Sequence, residues 1–198
     1  MIYIIRHGQT AMNKVKALQG RTDHPLNEIG EQQAIDAGKQ LAEMGVKFDY
    51  VFTSPLIRAV QTAKLISPDV EPVVDERLIE MDYGKYEGTD LSNIPPEIKE
   101  FFSDFVHNPA PDTMEQLPSV VGRLGEFLEE IKGLKGNILI STHAIAMKGA
   151  LEYLTPDSNG SYWSKYIGNC SVYAAENGEN GFGIPEELFC NAPKELGV

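Results

Sequence analysis

The sequence predicts an α/β protein, a three-layer α/β/α sandwich with a mostly parallel central sheet. Short apolar runs, each long enough for one buried strand, alternate along the chain with longer segments that have helical periodicity. This alternation is typical of a parallel sheet with helices on both faces. Polar residues follow directly after several of the apolar runs. Because ligands in such sheets bind where the chain leaves the carboxyl ends of the strands, these junctions are the candidate functional site.

The predicted elements follow one another from the N-terminus. Apolar runs predict strands over residues 1–5, 49–53, 70–74, 137–142 and 171–175. Periodicity and cap signals predict helices over residues 27–44, 54–66, 96–107, 116–132 and 144–154. Asn27 and Ser54 are suited to cap the first two helices, and Pro55 suits a first helical turn. No repeat, low-complexity tract or linker interrupts these elements, so residues 1–198 are expected to form a single domain.

The composition excludes several classes of function. A formal net charge of −12 and a pI near 4.7 argue against nucleic acid or an anionic membrane as the partner. The two cysteines and four histidines are scattered, without the spacing of a zinc site. The N-terminus does not resemble a signal peptide, and no apolar run approaches the length of a membrane span. A cytoplasmic protein without a bound metal is therefore expected.

The strand predicted at residues 1–5 leads into the most informative stretch, Arg6-His7-Gly8-Gln9-Thr10. The guanidinium group of Arg6 has a permanent charge and a fork of donors that suits phosphate oxygens. His7 can be neutral near pH 7 and is a competent nitrogen nucleophile. Gly8 allows the backbone to come close to a ligand. The motif on its own is short, and a strand end followed by a surface loop would explain it equally well.

Three further junctions carry residues of the same kind. Residues 53–58 place Arg58 in the first turn of a helix, where free N–H groups and the helix dipole also favour an anion. Glu80 follows the third predicted strand, and His143 ends the clearest buried strand. These junctions should converge at one edge of the sheet. Glu87, in a loop with several glycines, is the alternative acid to Glu80.

Taken together, the junctions resemble the histidine phosphatase superfamily, which includes the cofactor-dependent phosphoglycerate mutases. The segments that match, in the order and spacing of the family, are Arg6-His7-Gly8-Gln9-Thr10 with Asn13; Gln19-Gly20 with Asp23, Pro25-Leu26 and Gly30; Thr53-Ser54-Pro55-Leu56 with Arg58-Ala59 and Gln61-Thr62-Ala63; Leu78-Ile79-Glu80 with Gly84 and Glu87-Gly88; and Ser141-Thr142-His143. This resemblance is far more specific than the first triplet alone. The register with Leu78 and Gly84 favours Glu80 over Glu87.

The resemblance implies a phosphoglycerate mutase-like fold and a role for each matching residue. His7 would attack phosphorus and carry a phosphohistidine, and Glu80 would donate a proton to the leaving oxygen. The equatorial phosphoryl oxygens would be held by Arg6, Arg58 and His143. The remaining substrate-binding residues would be Gly8, Asn13, Gln19 and Gly20. This chemistry requires no metal and no cofactor, because cationic side chains supply the charge that the phosphoryl oxygens need.

The expected function is hydrolysis of a small phosphomonoester through the phosphohistidine. The alternatives are a phosphoglycerate mutase, which returns the phosphoryl group to the product, and a catalytically idle phosphate-binding protein. Substrate choice is expected to lie in residues 89–122, an insertion whose only lysine or arginine is Lys99. Because a mutase needs basic residues there, a phosphatase with a neutral or cationic leaving group is expected. The predicted partner is a small phosphorylated substrate, and a homodimer is possible.

Overall fold

The computed structural model describes residues 1–190. Its strands are β1 (Ile2–Arg6), β2 (Tyr50–Thr53), β3 (Val73–Val74), β4 (Ile138–Thr142), β5 (Val172–Ala175), β6 (Asn177–Gly178), β7 (Gly181–Phe182) and β8 (Glu186–Phe189). The central sheet has the order β3-β2-β4-β1-β5-β8, and β6 and β7 pair separately. The pairs β1–β4, β2–β4 and β2–β3 are parallel, whereas β5 runs antiparallel to both of its neighbours. The mostly parallel sheet is therefore confirmed.

Two pairs of helices cover the sheet. The helices are α1 (Ala11–Lys14), α2 (Glu28–Glu43), α3 (Ile57–Ile66), α4 (Pro96–Ser103), α5 (Leu117–Ile131) and α6 (Ala144–Leu154). Side chains alternate between the faces of β1, so Ile2 and Ile4 pack in one core with α5 and α6. Tyr3 and Ile5 point the other way, into the core formed with α2 and α3. The result is the predicted three-layer α/β/α sandwich.

Several elements begin or end at residues other than those predicted. The strand predicted over residues 70–74 is reduced to β3, since Pro72 has no N–H to donate to a neighbouring strand. Helix α4 ends at Ser103 instead of His107, because the Asp104 carboxylate accepts the N–H groups of Val106 and His107 and turns the chain. Helix α3 begins at Ile57, three residues after the predicted start at Ser54.

The C-terminal region contains a strand that the sequence did not reveal. Strand β8 pairs with β5 at the edge of the sheet. Residues 191–198 lie outside the described residues. Within residues 1–190, no helix is long and apolar enough to cross a membrane.

Candidate active site

The ends of β1 and β4 bring the two candidate histidines together. The strands are parallel and in register, with Arg6 opposite Thr142, and the N–H of His7 donates to the carbonyl of Thr142 at 2.9 Å. His7 and His143 each follow directly after these partners, and their ring centroids are 5.1 Å apart. Both side chains are buried. The convergence of these two junctions, which the sequence predicted, is therefore present in the structure.

Hydrogen bonds define the tautomer of His7. Its Nδ1 lies 2.7 Å from the carbonyl oxygen of Gly8. Because a carbonyl oxygen can only accept, Nδ1 must carry the hydrogen. The other nitrogen, Nε2, then has a free lone pair, and it accepts from Nε of Arg58 at 3.2 Å. The nitrogen that faces the site is thus the one with nucleophilic character.

Arg58 is fully buried, and its guanidinium group is held on all sides. Its Nη1 and Nη2 donate to the carbonyls of Thr22 and Gly20 at 2.8 Å and 2.6 Å. Its Nε is also 3.2 Å from Nδ1 of His143. His143 therefore accepts at Nδ1 and donates from Nε2 to the Ser54 hydroxyl, at 2.7 Å. Both imidazoles are held in defined tautomers around one cation.

Burial and neighbouring cations lower the pKa values of both histidines. Burial is the larger cause for His7, whose pKa lies well below the usual value, and the positive charges of Arg58 and Arg6 lower the pKa further. Burial and the charge of Arg58 lower the pKa of His143 in the same way. Burial also lowers the pKa of Arg58, to about 10, so the guanidinium group keeps its charge near neutral pH. The site therefore combines neutral imidazoles with permanent positive charge.

The two candidate acids have different surroundings. Glu80 is buried next to the N-terminus of α6, where its carboxylate accepts the N–H groups of Met81, Ile145 and Ala146 at 2.8, 3.2 and 2.9 Å. Glu87 instead accepts the N–H groups of Gly20 and Arg21 at 3.0 and 2.8 Å. Glu80 is thus the carboxylate at the start of the helix that follows His143, and Glu87 stabilises a loop.

Two buried donors at the site have no partner among residues 1–190, Nε of Arg6 and Nε2 of Gln19. The groups themselves are held in place, because Nη1 of Arg6 donates to the carbonyl of Ile167 at 2.5 Å and Oε1 of Gln19 accepts from the Thr10 hydroxyl at 2.8 Å. Unpaired buried donors are costly unless a ligand supplies the acceptor. Two such donors near the buried imidazole of His7 fit the oxygens of a phosphoryl group.

The two site glycines have close backbone neighbours. A Cβ atom on Gly8 would lie 2.3 Å from the carbonyl oxygen of Gly30, at the start of α2. A Cβ atom on Gly20 would lie 2.6 Å from the carbonyl oxygen of Met81, and 2.2 Å from the Glu87 carboxylate. Both positions therefore require glycine for close approach. They set the backbone path of the site.

Asn13 is linked to His7 by Asn169, a residue that the sequence did not indicate. Its Oδ1 accepts the Thr10 N–H at 3.1 Å, and Nδ2 of Asn169 lies 3.3 Å from the same oxygen. Asn169 also donates to the carbonyl of His7 at 3.0 Å. Since β5 is antiparallel, it is the chain leading into β5 that reaches this edge of the sheet. A search of the carboxyl ends of parallel strands could not have found Asn169.

The described residues offer no grouping of histidine, cysteine, aspartate and glutamate side chains that could hold a metal ion. The positive charge at the site comes from Arg6 and Arg58 instead. Such an arrangement can stabilise a transferring phosphoryl group by charge and by positioned donors.

Comparisons with known proteins agree with this geometry. The model of the histidine phosphatase superfamily, branch 1, matches residues 2–186. Phosphoserine phosphatase 1 of Hydrogenobacter thermophilus is 28% identical over 177 residues, 86% of this chain and 83% of that protein. The crystal structure of phosphoserine phosphatase from Entamoeba histolytica in complex with 3-phosphoglyceric acid aligns with a TM-score of 0.79 and 26% identity, covering 98% of this chain and 97% of that one.

The chain is also similar in structure to a phosphoglycerate mutase. The crystal structure of phosphoglycerate mutase from Thermus thermophilus aligns with a TM-score of 0.72 and 27% identity, covering 98% of this chain and 99% of that one. The predicted family, the phosphoglycerate mutase-like fold and the enzyme class of a phosphomonoester phosphatase are thereby confirmed. The chain belongs to the histidine phosphatase superfamily, branch 1.

Proposed function

We propose that this chain hydrolyses a small phosphomonoester and that Nε2 of His7 is the nucleophile. The observation that carries the proposal is the hydrogen bond from Nδ1 of His7 to the Gly8 carbonyl, at 2.7 Å, which leaves the lone pair on Nε2. The low pKa of His7 supports the same role, because burial keeps the imidazole neutral and able to attack.

In the first step, Nε2 of His7 forms a bond to phosphorus while the ester P–O bond breaks. Charge on the three equatorial oxygens is stabilised by the guanidinium groups of Arg6 and Arg58, with His143, Gln19 and Asn13 as further polar groups. Glu80, in its acid form, gives its proton to the leaving alkoxide. The products of this step are the free alcohol and a phosphohistidine.

In the second step, water attacks phosphorus and the P–N bond breaks. The Glu80 carboxylate takes the proton from the attacking water, and inorganic phosphate leaves with His7 neutral again. The two backbone N–H groups of Ile145 and Ala146 hold the Glu80 carboxylate in one orientation for both proton transfers. One carboxyl group thus serves as acid and then as base.

We propose that the chain is a single domain in which residues 89–122 select the substrate. The composition of this segment favours hydrolysis over mutase activity. Its one basic residue, Lys99, is exposed on α4. A mutase must hold a bisphosphorylated intermediate while the phosphoryl group returns, and this segment offers little charge for that. The relatives named phosphoserine phosphatase also support hydrolysis.

We further infer a cytoplasmic enzyme that forms a homodimer. Cys170 and Cys190 are free thiols, which fits a reducing compartment. Strand β3 forms an edge of the sheet, and the side chains of Val73 and Val74 are exposed there. Two adjacent apolar side chains that are exposed at this edge would gain free energy by being buried against a second copy. Light scattering of the purified protein measures the oligomeric state, and a monomer at micromolar concentration would contradict the dimer.

The catalytic proposal is tested with the variant His7→Ala and the control His107→Ala, which removes an exposed histidine. Brief exposure to p-nitrophenyl phosphate should leave an acid-labile phosphoryl adduct on the wild type and on the control. His7→Ala should lack the adduct and lose several orders of magnitude in turnover. Retention of a tenth of the wild-type rate by His7→Ala would overturn the assignment of the nucleophile.

A second assay separates hydrolysis from mutase activity. The wild type is given 3-phosphoglycerate with and without 2,3-bisphosphoglycerate, beside a panel of phosphate esters. We expect release of inorganic phosphate and little 2-phosphoglycerate. Rapid formation of 2-phosphoglycerate that depends on the bisphosphate, with negligible phosphate release, would establish the mutase instead.

A further inference from the structure

Both ring nitrogens of His143 are already engaged in the structure. Nδ1 accepts the N–H of Arg58 at 3.2 Å, and Nε2 lies 2.7 Å from the Ser54 hydroxyl. The ring is fully buried. A phosphoryl oxygen is an acceptor, so a contact with it requires a donor on His143, and this arrangement offers none. The proposed contact between His143 and the phosphoryl group therefore requires a change at the ring.

The proposed nucleophile shares the same Arg58 donor. Nε2 of His7 also accepts the N–H of Arg58, at 3.2 Å. Before Nε2 can form a bond to phosphorus, its lone pair must be free of this hydrogen bond. A bound phosphoryl group therefore takes the Arg58 N–H on one of its oxygens. The lone pair on Nδ1 of His143 then loses its donor beside a phosphoryl oxygen, and two buried acceptors in contact are costly.

Two changes would restore a donor at Nδ1 of His143, and they differ at Nε2. Protonation would leave a hydrogen on both nitrogens, but the site opposes the extra charge. Burial, and next the charge of Arg58, hold the pKa of His143 well below its usual value. The second change keeps the ring neutral, because the hydrogen moves to Nδ1 and Nε2 becomes an acceptor. This tautomer adds no second cation beside Arg58.

The Ser54 hydroxyl can partner either tautomer. It is fully buried, and within residues 1–190 its hydrogen-bond neighbours are Nε2 of His143 and the N–H of Leu56, at 2.7 Å and 3.3 Å. The Leu56 N–H can only donate, so the hydroxyl hydrogen has no acceptor as long as Nε2 carries a hydrogen. When Nε2 is bare, the hydroxyl can rotate and donate to it. The second tautomer thus satisfies a hydroxyl hydrogen that the first leaves unpaired.

We propose that Ser54 is a positioning residue that allows His143 to change tautomer when a phosphoryl group binds. The hydrogen lies on Nε2 in the free site and on Nδ1 in the occupied site, where it is donated to a phosphoryl oxygen. No net proton is taken up, because Nε2 gives one proton to water and Nδ1 takes one from water. The ligand binds the second tautomer and so shifts the population towards it. This inference rests on the proposed phosphatase function, since it concerns how the same site holds the phosphoryl group.

NMR of the wild type with isotope-labelled histidine tests the change directly. The one-bond coupling between nitrogen and hydrogen shows which ring nitrogen is protonated, and the signals of His143 are those that are missing in His143→Gln. Spectra are recorded near neutral pH without ligand and with saturating orthovanadate as the probe. We expect the hydrogen on Nε2 without vanadate, and on Nδ1 alone with vanadate.

Three results of this measurement would overturn the proposal. A hydrogen that stays on Nε2 in both spectra would show that His143 donates nothing to the oxyanion. A hydrogen on Nδ1 in both spectra would show that no change occurs. Hydrogens on both nitrogens with vanadate would show that the ring binds as an imidazolium ion.

Variants of Ser54 test whether the hydroxyl is responsible. Ser54→Ala removes the hydrogen bond that is gained on binding, so the inhibition constant for vanadate should rise by at least about tenfold. Ser54→Thr keeps a hydroxyl and should restore most of the affinity. The matched control is Ser141→Ala, which removes another buried hydroxyl, one that donates to the carbonyl of Ala59 at 2.8 Å. Its inhibition constant should stay within about twofold of the wild type.

The remaining outcomes separate this proposal from the phosphatase function. Equal rises of the inhibition constant in Ser54→Ala and Ser141→Ala would show that Ser54 only supports the fold. Turnover of p-nitrophenyl phosphate by the wild type, with inhibition by vanadate, reports the phosphatase function separately. If both are present and the tautomer does not change, only the role of Ser54 fails. If Ser54→Ala does not fold, the wild-type spectra still decide.

Discussion

Nε of Arg58 lies 3.2 Å from Nε2 of His7 and 3.2 Å from Nδ1 of His143, so one guanidinium nitrogen faces both buried imidazoles. A single N–H is shared between two acceptors, and protonation of either acceptor would place two positive charges in contact. This relationship explains why the cation lowers the pKa of both rings in addition to the effect of burial. Neutral imidazoles are thus a condition of the folded state.

The first prediction is a loss of stability as the pH falls below 6.5. The unfolded chain binds protons at both histidines around its ordinary pKa of about 6.5, whereas the folded site does not. Proton binding by the unfolded chain therefore lowers the free energy of unfolding, by about 1.4 kcal/mol per histidine at pH 5.5. Urea unfolding at pH 7.5 and pH 5.5 measures the difference. His7→Gln should lose about half of it, and an unchanged pH dependence in that variant would contradict the assignment.

The second prediction distinguishes Glu80 from Glu87. Glu80→Gln removes the proposed proton donor, so hydrolysis of an alkyl phosphate should fall by about 10²–10⁴-fold. p-Nitrophenyl phosphate has a better leaving group and should lose much less. Glu87→Gln weakens the contacts to the N–H groups of Gly20 and Arg21, so it should lower the stability by about 1 kcal/mol and affect both substrates equally.

Steady-state rates on the two esters provide the measurement for this pair of variants. Equal losses on the alkyl and aryl esters in Glu80→Gln would mean that Glu80 positions the substrate and transfers no proton. A selective loss on the alkyl ester in Glu87→Gln would make Glu87 the acid.

A third prediction concerns the contact between Gly8 and Gly30. The Cβ atom in Gly8→Ala would lie 2.3 Å from a backbone oxygen, so the loop that carries the proposed nucleophile must move. We expect a destabilisation of about 1–3 kcal/mol, together with a large loss of turnover. Gly122→Ala is the matched control, because nothing lies within 4 Å of its Cβ position in α5. It should stabilise the protein by up to about 1 kcal/mol. Thermal melting that shows similar changes for both variants would refute this account.

The fourth prediction is that chelators leave the activity unchanged. Residues 1–190 contain no grouping of side chains that could hold a metal ion, and the arginines supply the charge. Phosphate release should be the same with and without EDTA after prolonged dialysis. A loss of activity that is restored by a divalent cation would require a different site.

The sequence predicted the part of the site that parallel strands assemble. The apolar run ending at Ile5 and the run ending at Thr142 indicated two buried strands, and Arg6 and His143 followed them directly. Parallel register alone then brings His7 next to His143. The positions of Arg58 and Glu80 depended on a helix start and a loop, and there the resemblance to the family was needed.

Other features depend on tertiary contacts that no local pattern reports. Asn169 reaches the site because β5 is antiparallel, which the apolar run over residues 171–175 does not reveal. Lys148 lies in a helix that is mostly small and apolar, and a lysine there is compatible with solvent exposure until the position of Trp163 is known. The end of α4 depends on one carboxylate, that of Asp104, which accepts backbone N–H groups.

The loop that carries Gly20 and Thr22 is fastened from two sides, by the Arg58 guanidinium group and by the Glu87 carboxylate. Local opening of this loop would break the hydrogen bonds that hold Arg58, so the proposed phosphate-binding site would be lost without global unfolding. The apparent affinity for a phosphate ligand should therefore be lower than the affinity of the closed state, in proportion to the fraction of molecules whose loop is closed. An oxyanion such as vanadate that binds only the closed loop should therefore slow hydrogen exchange at the Gly20 and Arg21 amides. The degree of protection at each amide measures the free energy of loop closure.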